Sequence, residues 1–147
     1  MMKGMIWFDM DGTIANLYGV ENWLEYLIQG DVYPYACAMP LLRMCSLAKV
    51  LNRLQKEGYR LGIISWLSKS GTPEYNKEVT KAKKEWLKKH LKSVSFDEIN
   101  IVDYGTPKQR YCKSPDDILF DDEERNRNNW TGKAFNVFNI MEVLKAL

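Results

Sequence analysis

Two groups of carboxylates stand directly behind short apolar runs. Ile6-Trp7-Phe8 leads into Asp9-Met10-Asp11-Gly12-Thr13, and Ile118-Leu119-Phe120 leads into Asp121-Asp122-Glu123. An apolar triplet of this kind reads as a buried strand. The carboxyl end of such a strand is where open α/β sheets bind ligands. Residues two apart project the same way from an extended chain, so Asp9 and Asp11 can face one spot. Like charges held that close require a cation or a shared proton, and carboxylate oxygens are what hard cations choose. Gly12 offers a turn at positive φ, which would bring backbone amides and the Thr13 hydroxyl around the same spot. Asp and Gly are also ordinary turn residues. An apolar strand followed by Asp-x-Asp-Gly-Thr favours chemistry over a plain polar turn.

The intervening pattern supplies the elements that must hold these acids. Val20, Trp23, Leu24, Leu27 and Ile28 recur at helical spacing and predict a short helix near 20–29, closed by Gly30. Pro34 and Pro40 interrupt the next stretch, leaving Tyr33 and Tyr35 in a loop where their rings are candidates to stack on a substrate. Trp23 and Leu27 read instead as core packing. A broad apolar stripe predicts a helix over 41–57. Arg60 to Ser65 reads as a second buried strand, ending in Ser65-Trp66. A polar loop over 67–76 precedes a lysine-rich helix over 74–91, with Val79, Ala82, Trp86, Leu87 and Leu91 on its inner side. Further strands are expected at 98–102 and 118–120, with an edge strand over 134–138 and a terminal helix over 140–147. Right-handed crossovers place the loops after parallel strands at one edge of the sheet. Asp9 and Asp11 would meet Asp121 and Asp122 there.

The composition bounds the alternatives. The 147 residues fit a single domain, 1–147, with 46% hydrophobic and 27% charged residues. A formal charge of +2 is too small to argue for nucleic acid or a membrane surface. The exposed lysines of 77–92 read as a solvated helix face. No apolar run of membrane-spanning length and no signal-type stretch is present, so a cytoplasmic location is expected. Cys37, Cys45 and Cys112 lack metal-ligand spacing and read as reduced thiols. The oligomeric state cannot be read from these features.

Phe8-Asp9-Met10-Asp11-Gly12-Thr13 resembles the first motif of the haloacid dehalogenase superfamily, mostly Mg²⁺-dependent phosphatases. The resemblance continues through Ser65 at the end of the second strand, a lysine after the third, and Asp121-Asp122 after the fourth. It implies a three-layer Rossmann-like α/β sandwich with a mainly parallel sheet of about five strands, the first central. It also implies a small cap inserted at residues 15–39. Asp9 would attack phosphorus and Asp11 would act as general acid and base. Gly12, Thr13, Ser65 and Lys108 (alternatively Lys113) would bind the phosphate. Asp9, Asp11 through its main-chain carbonyl, and Asp122 would hold Mg²⁺, with Asp121 ligating through water or orienting the site. Trp66, beside Ser65, would shape the substrate side of the pocket. The Lys83-x-x-Trp86-Leu87 pattern and the aromatic insert resemble 5′-(deoxy)nucleotidases. The implied partner is a small-molecule phosphate ester such as a nucleotide. Sugar-phosphate and nucleic-acid-end phosphatases, and a non-catalytic binding protein of the same fold, are the alternatives.

Overall fold

The computed structural model describes residues 3–147. The chain runs β1 (Met5–Phe8), β2 (Ala15–Asn16), α1 (Trp23–Ile28), α2 (Tyr33–Cys37), β3 (Met39–Pro40) and α3 (Met44–Lys56). It continues through β4 (Arg60–Trp66), α4 (Pro73–His90), β5 (Glu98–Val102), β6 (Ile118–Phe120), α5 (Glu124–Asn129), β7 (Lys133–Phe135) and α6 (Ile140–Ala146). Five strands form a sheet in the order β5-β4-β1-β6-β7, every pairing parallel, so β1 is central as expected. Among the described residues no helix is long and apolar enough to cross a membrane.

The alternation of strand side chains decides which layer each residue joins. Ile6, Phe8, Leu61, Ile63, Ile118 and Phe120 point to one face, where they meet Leu47, Leu51 and Leu54 of α3, Trp86 and Leu87 of α4, and Ile140 and Leu144 of α6. Burying each such leucine contributes roughly 1.5–3 kcal/mol before entropy is counted. Met5, Trp7, Ile64 and Leu119 point to the opposite face, which is thinner and covered by Trp130 and Tyr111. Gly62 sits opposite Trp7 in the β1–β4 register, and a Cβ there would collide with the indole ring. Its missing side chain is what lets the large ring of Trp7 lie across the neighbouring strand.

Several boundaries differ from the sequence expectation for identifiable reasons. The helix expected near 20–29 starts only at Trp23, because Asn22 takes a left-handed conformation with φ of 61°. Tyr33 and Tyr35 lie in α2 and not in a loop: Pro34 falls in the first helical turn, where the missing N–H costs nothing. The loop over 67–76 ends early, since Pro73 opens α4 and the Thr72 side chain accepts a 3.1 Å bond from the Tyr75 amide. The edge strand stops at Phe135, where Asn136 caps a short 3₁₀ turn. The two-residue antiparallel ribbon β2–β3 had no sequence signal. It joins Ala15 to Pro40, so the segment between them leaves and rejoins the sheet domain at one place.

Candidate active site

The loops after β1, β4 and β6, with the 3₁₀ turn at Lys108–Tyr111, converge on the carboxyl edge of the sheet. Asp9 follows β1 and its amide donates to the Phe120 carbonyl at 3.0 Å, which ties the two acid-bearing loops together. The chain then folds into a tight turn in which the Met10 carbonyl accepts from the amides of Thr13, Ile14 and Ala15, and the Gly12 amide donates to Ala15. Gly12 has φ of 80°, and a Cβ on it would strike the Asp122 carboxylate. The amides of Gly12 and Thr13, expected to cradle phosphate, are thus engaged inside the turn. The Thr13 hydroxyl is engaged too, donating to Asp9 Oδ2 at 2.8 Å.

Of the two lysines left open by the sequence, Lys108 is the one the structure brings, almost fully buried, to the acids. Its Nζ donates to Asp9 Oδ1 at 2.9 Å and to Asp121 Oδ2 at 2.7 Å. Burial opposes its charge, but the two carboxylates outweigh burial and hold its pKa above the usual lysine value. Lys113 lies elsewhere: its ammonium is exposed and pairs with Glu98 at 2.7 Å. Asp121 also accepts from the Glu123 amide at 2.9 Å and from Asn126 Nδ2 at 3.2 Å, while Arg127 donates to its main-chain carbonyl at 3.0 Å. A carboxylate held by so many donors is fixed in place beside Lys108.

Oxygens of Asp9, Asp121 and Asp122 lie within 4.8 Å of one another. Three carboxylates face one ammonium there, an imbalance that a divalent cation would offset. The strain shows in Asp122, whose pKa is pushed up to about 8 by desolvation and then by the Asp9 carboxylate. Oxygen-only donors of this charge fit a hard ion such as Mg²⁺. The Asp11 side chain stands outside this group.

Asp11 is claimed by a residue to which the sequence pattern assigned no role. Lys83, on α4, is buried and donates to Asp11 Oδ2 at 2.8 Å, to Ser65 Oγ at 2.7 Å and to the Trp66 carbonyl at 2.7 Å. Ser65, fully buried, accepts from this lysine and keeps its own proton to donate. Asp11 titrates above the ordinary carboxylate range because burial outweighs the opposing pull of Lys83, with the Asp9 charge adding to the rise. The signal for Lys83 was present: it lies four residues after Val79 and three before Trp86, inside the apolar stripe, where an unpaired lysine would be costly.

Above these groups opens a cavity of about 600 Å³. Asp9, Asp11, Lys108, Asp121 and Asp122 reach it, and Tyr35 and Trp66 line it. Tyr33 does not; it packs 5.0 Å from Tyr26 outside the lining. Trp23 and Leu27, expected as core, are half-buried: they pack on the Leu17–Tyr35–Val79 cluster and also line the cavity with Leu24 and Ile28.

No family model and no curated protein sequence matches the chain. Among solved structures, the crystal structure of D,D-heptose 1,7-bisphosphate phosphatase from Burkholderia thailandensis is similar, with a TM-score of 0.51 and 16% identity over 86% of this chain and 70% of that one. At that identity the likeness establishes the fold alone, a Rossmann-like parallel sheet flanked by helices.

Proposed function

We propose that the chain is a Mg²⁺-dependent phosphatase that hydrolyses a small-molecule phosphate monoester through an aspartyl-phosphate on Asp9. The observation that carries this reading is the placement of Asp9 between Lys108 and Thr13, with Asp122 alongside, at the floor of the cavity. Mg²⁺ held by Asp9, Asp122 and the Asp11 carbonyl would offset the charge that otherwise keeps a phosphate dianion from a carboxylate nucleophile.

The chain's own groups account for the remaining steps. An Asp9 oxygen attacks phosphorus and the bond from phosphorus to the leaving oxygen breaks. Asp11, favoured in its neutral form by burial, gives its proton to that leaving oxygen. Water then attacks the aspartyl-phosphate, its proton passes to Asp11, and phosphate leaves with Asp9 restored as a carboxylate. Lys108 and the Ser65 hydroxyl donate to the phosphoryl oxygens as charge builds on them.

Residues 15–39 serve as a small cap, and their aromatic lining favours a flat leaving group such as the base-bearing part of a 5′-(deoxy)nucleotide. A sugar phosphate is the second reading, because the similar solved structure is named for a sugar bisphosphate. Against it stands a wall built from Trp23, Leu24, Leu27, Ile28 and Trp66. The test is hydrolysis of a generic phosphate ester with and without Mg²⁺, followed by a profile over mononucleotides, sugar phosphates and end-phosphorylated oligonucleotides. Asp9→Asn should lower turnover at least about a thousandfold. Undiminished turnover in that variant would remove the mechanism, and no turnover by the native protein on any ester would leave a binding protein of this fold.

A further inference from the structure

Lys108 is buried and carries three ammonium protons, of which two go to Asp9 and Asp121. Its remaining neighbour is the indole face of Trp66, with the ammonium 5.2 Å from the ring centre. An aromatic face stabilises a cation without accepting a proton in an ordinary hydrogen bond. The third proton therefore stays available to an anion entering the cavity. The same indole is fixed at its other edge, where Nε1 donates to the Thr106 carbonyl at 2.9 Å, two residues before Lys108. Trp66 thus meets both the chain two residues before Lys108 and the charge at the tip of the lysine. Tyr104 packs against the indole with ring centres 5.0 Å apart.

We propose that Trp66 is a positioning residue for Lys108: it fixes the ammonium between Asp9 and Asp121 with one proton free for a phosphoryl oxygen, in addition to forming part of the pocket wall. This rests on the phosphatase reading for its kinetic consequence, but the geometry also bears on the binding of any phosphate-like anion. In the Trp66 position the ring does what a third hydrogen-bond acceptor would do for the charge, and leaves the third proton free.

The test compares Trp66→Phe, which keeps a ring face and loses the bond to Thr106, with Trp66→Leu, which keeps apolar bulk and loses the ring. Both are measured against the native protein with the smallest hydrolysed phosphate ester and with a flat, bulky one. Inorganic phosphate binding in the presence of Mg²⁺ is measured by calorimetry on the same preparations, and circular dichroism fixes the folded fraction. The expected result is a kcat about tenfold lower for Trp66→Leu on both esters and a phosphate affinity lower by a similar factor, with Trp66→Phe recovering most of each. A rise in KM confined to the bulky ester, with kcat and phosphate affinity unchanged in Trp66→Leu, would make Trp66 a wall only and overturn the proposal. Equal losses in both variants would also overturn it, because the ring face would then not matter. If the native protein turns over no ester, the phosphatase reading fails by itself, and phosphate affinity alone still decides the role of Trp66.

Discussion

Lys83 and Asp11, 72 residues apart in the chain, form a 2.8 Å ion pair with the lysine almost free of solvent. The pair sets two opposing influences on the residue proposed as general acid. Burial raises the Asp11 pKa and Lys83 lowers it. Removing the lysine leaves burial unopposed, so the carboxyl rises further. Because the acid must be protonated to act, the alkaline limb of the kcat profile should move to higher pH in Lys83→Met. The variant should also be less stable by about 3 kcal/mol, since Asp11, Ser65 and the Trp66 carbonyl lose a shared donor. A pH–rate profile with its alkaline limb unmoved would deny Lys83 this influence.

Asp122 ties stability to pH and to metal. Its folded-state pKa of about 8 lies well above the ordinary carboxylate value of 3.8, so between these values the folded chain binds a proton that the unfolded chain has released. Stability without metal should therefore fall as pH rises from about 4 to about 8. A cation that favours the ionised carboxylate reverses the trend. Thermal melts should show Mg²⁺ raising Tm more near pH 8 than near pH 5. Asp122→Asn should reduce the metal-free dependence, leaving the part set by Asp121 and Asp11, and abolish the Mg²⁺ effect. Equal Mg²⁺ shifts at both pH values would show that Asp122 is not the group concerned.

The two candidate lysines separate cleanly by environment. Lys108→Met leaves Asp9 and Asp121 facing each other without their common cation, and turnover should fall at least about a hundredfold. Lys113→Met removes an exposed pair with Glu98, an interaction worth about 0–1 kcal/mol. Its turnover should stay within about twofold of the native value. Comparable losses in the two variants would contradict the placement of Lys108.

The parallel sheet was legible because each buried strand is a short apolar run that stops at a polar group, as Phe8 stops at Asp9 and Phe120 at Asp121. Those same stops marked most of the site. The features hidden in the sequence are of two kinds. Lys83 was masked by five other lysines on the same helix; its place within the apolar stripe and in the Lys83-x-x-Trp86-Leu87 pattern set it apart without giving it a role. Asn126 reaches Asp121 from a six-residue helix with too few turns to show a periodic pattern. The insert was the least legible part. Its ribbon is two residues long on each side, and α1 has no fully buried side chain, so Trp23 and Leu27 carried the periodicity of core residues while lining a cavity.

The double duty of these two side chains bears on substrate recognition. Trp23 makes an edge-on contact with Tyr18 at 5.0 Å and lines the cavity together with Trp66. A flat aromatic leaving group would stack there, an interaction worth about 1–3 kcal/mol per base. Trp23→Ala should therefore raise KM about tenfold for nucleotide-like esters while changing it little for an ester with a small leaving group. Because Trp23 touches none of the acids proposed to carry the reaction, kcat on the small ester should be nearly native. Tyr33→Ala supplies the comparison: Tyr33 packs on Tyr26 outside the lining, so the same KM should not move. A KM rise of equal size for both esters in Trp23→Ala would mean that the ring shapes the cavity as a whole and does not recognise the leaving group.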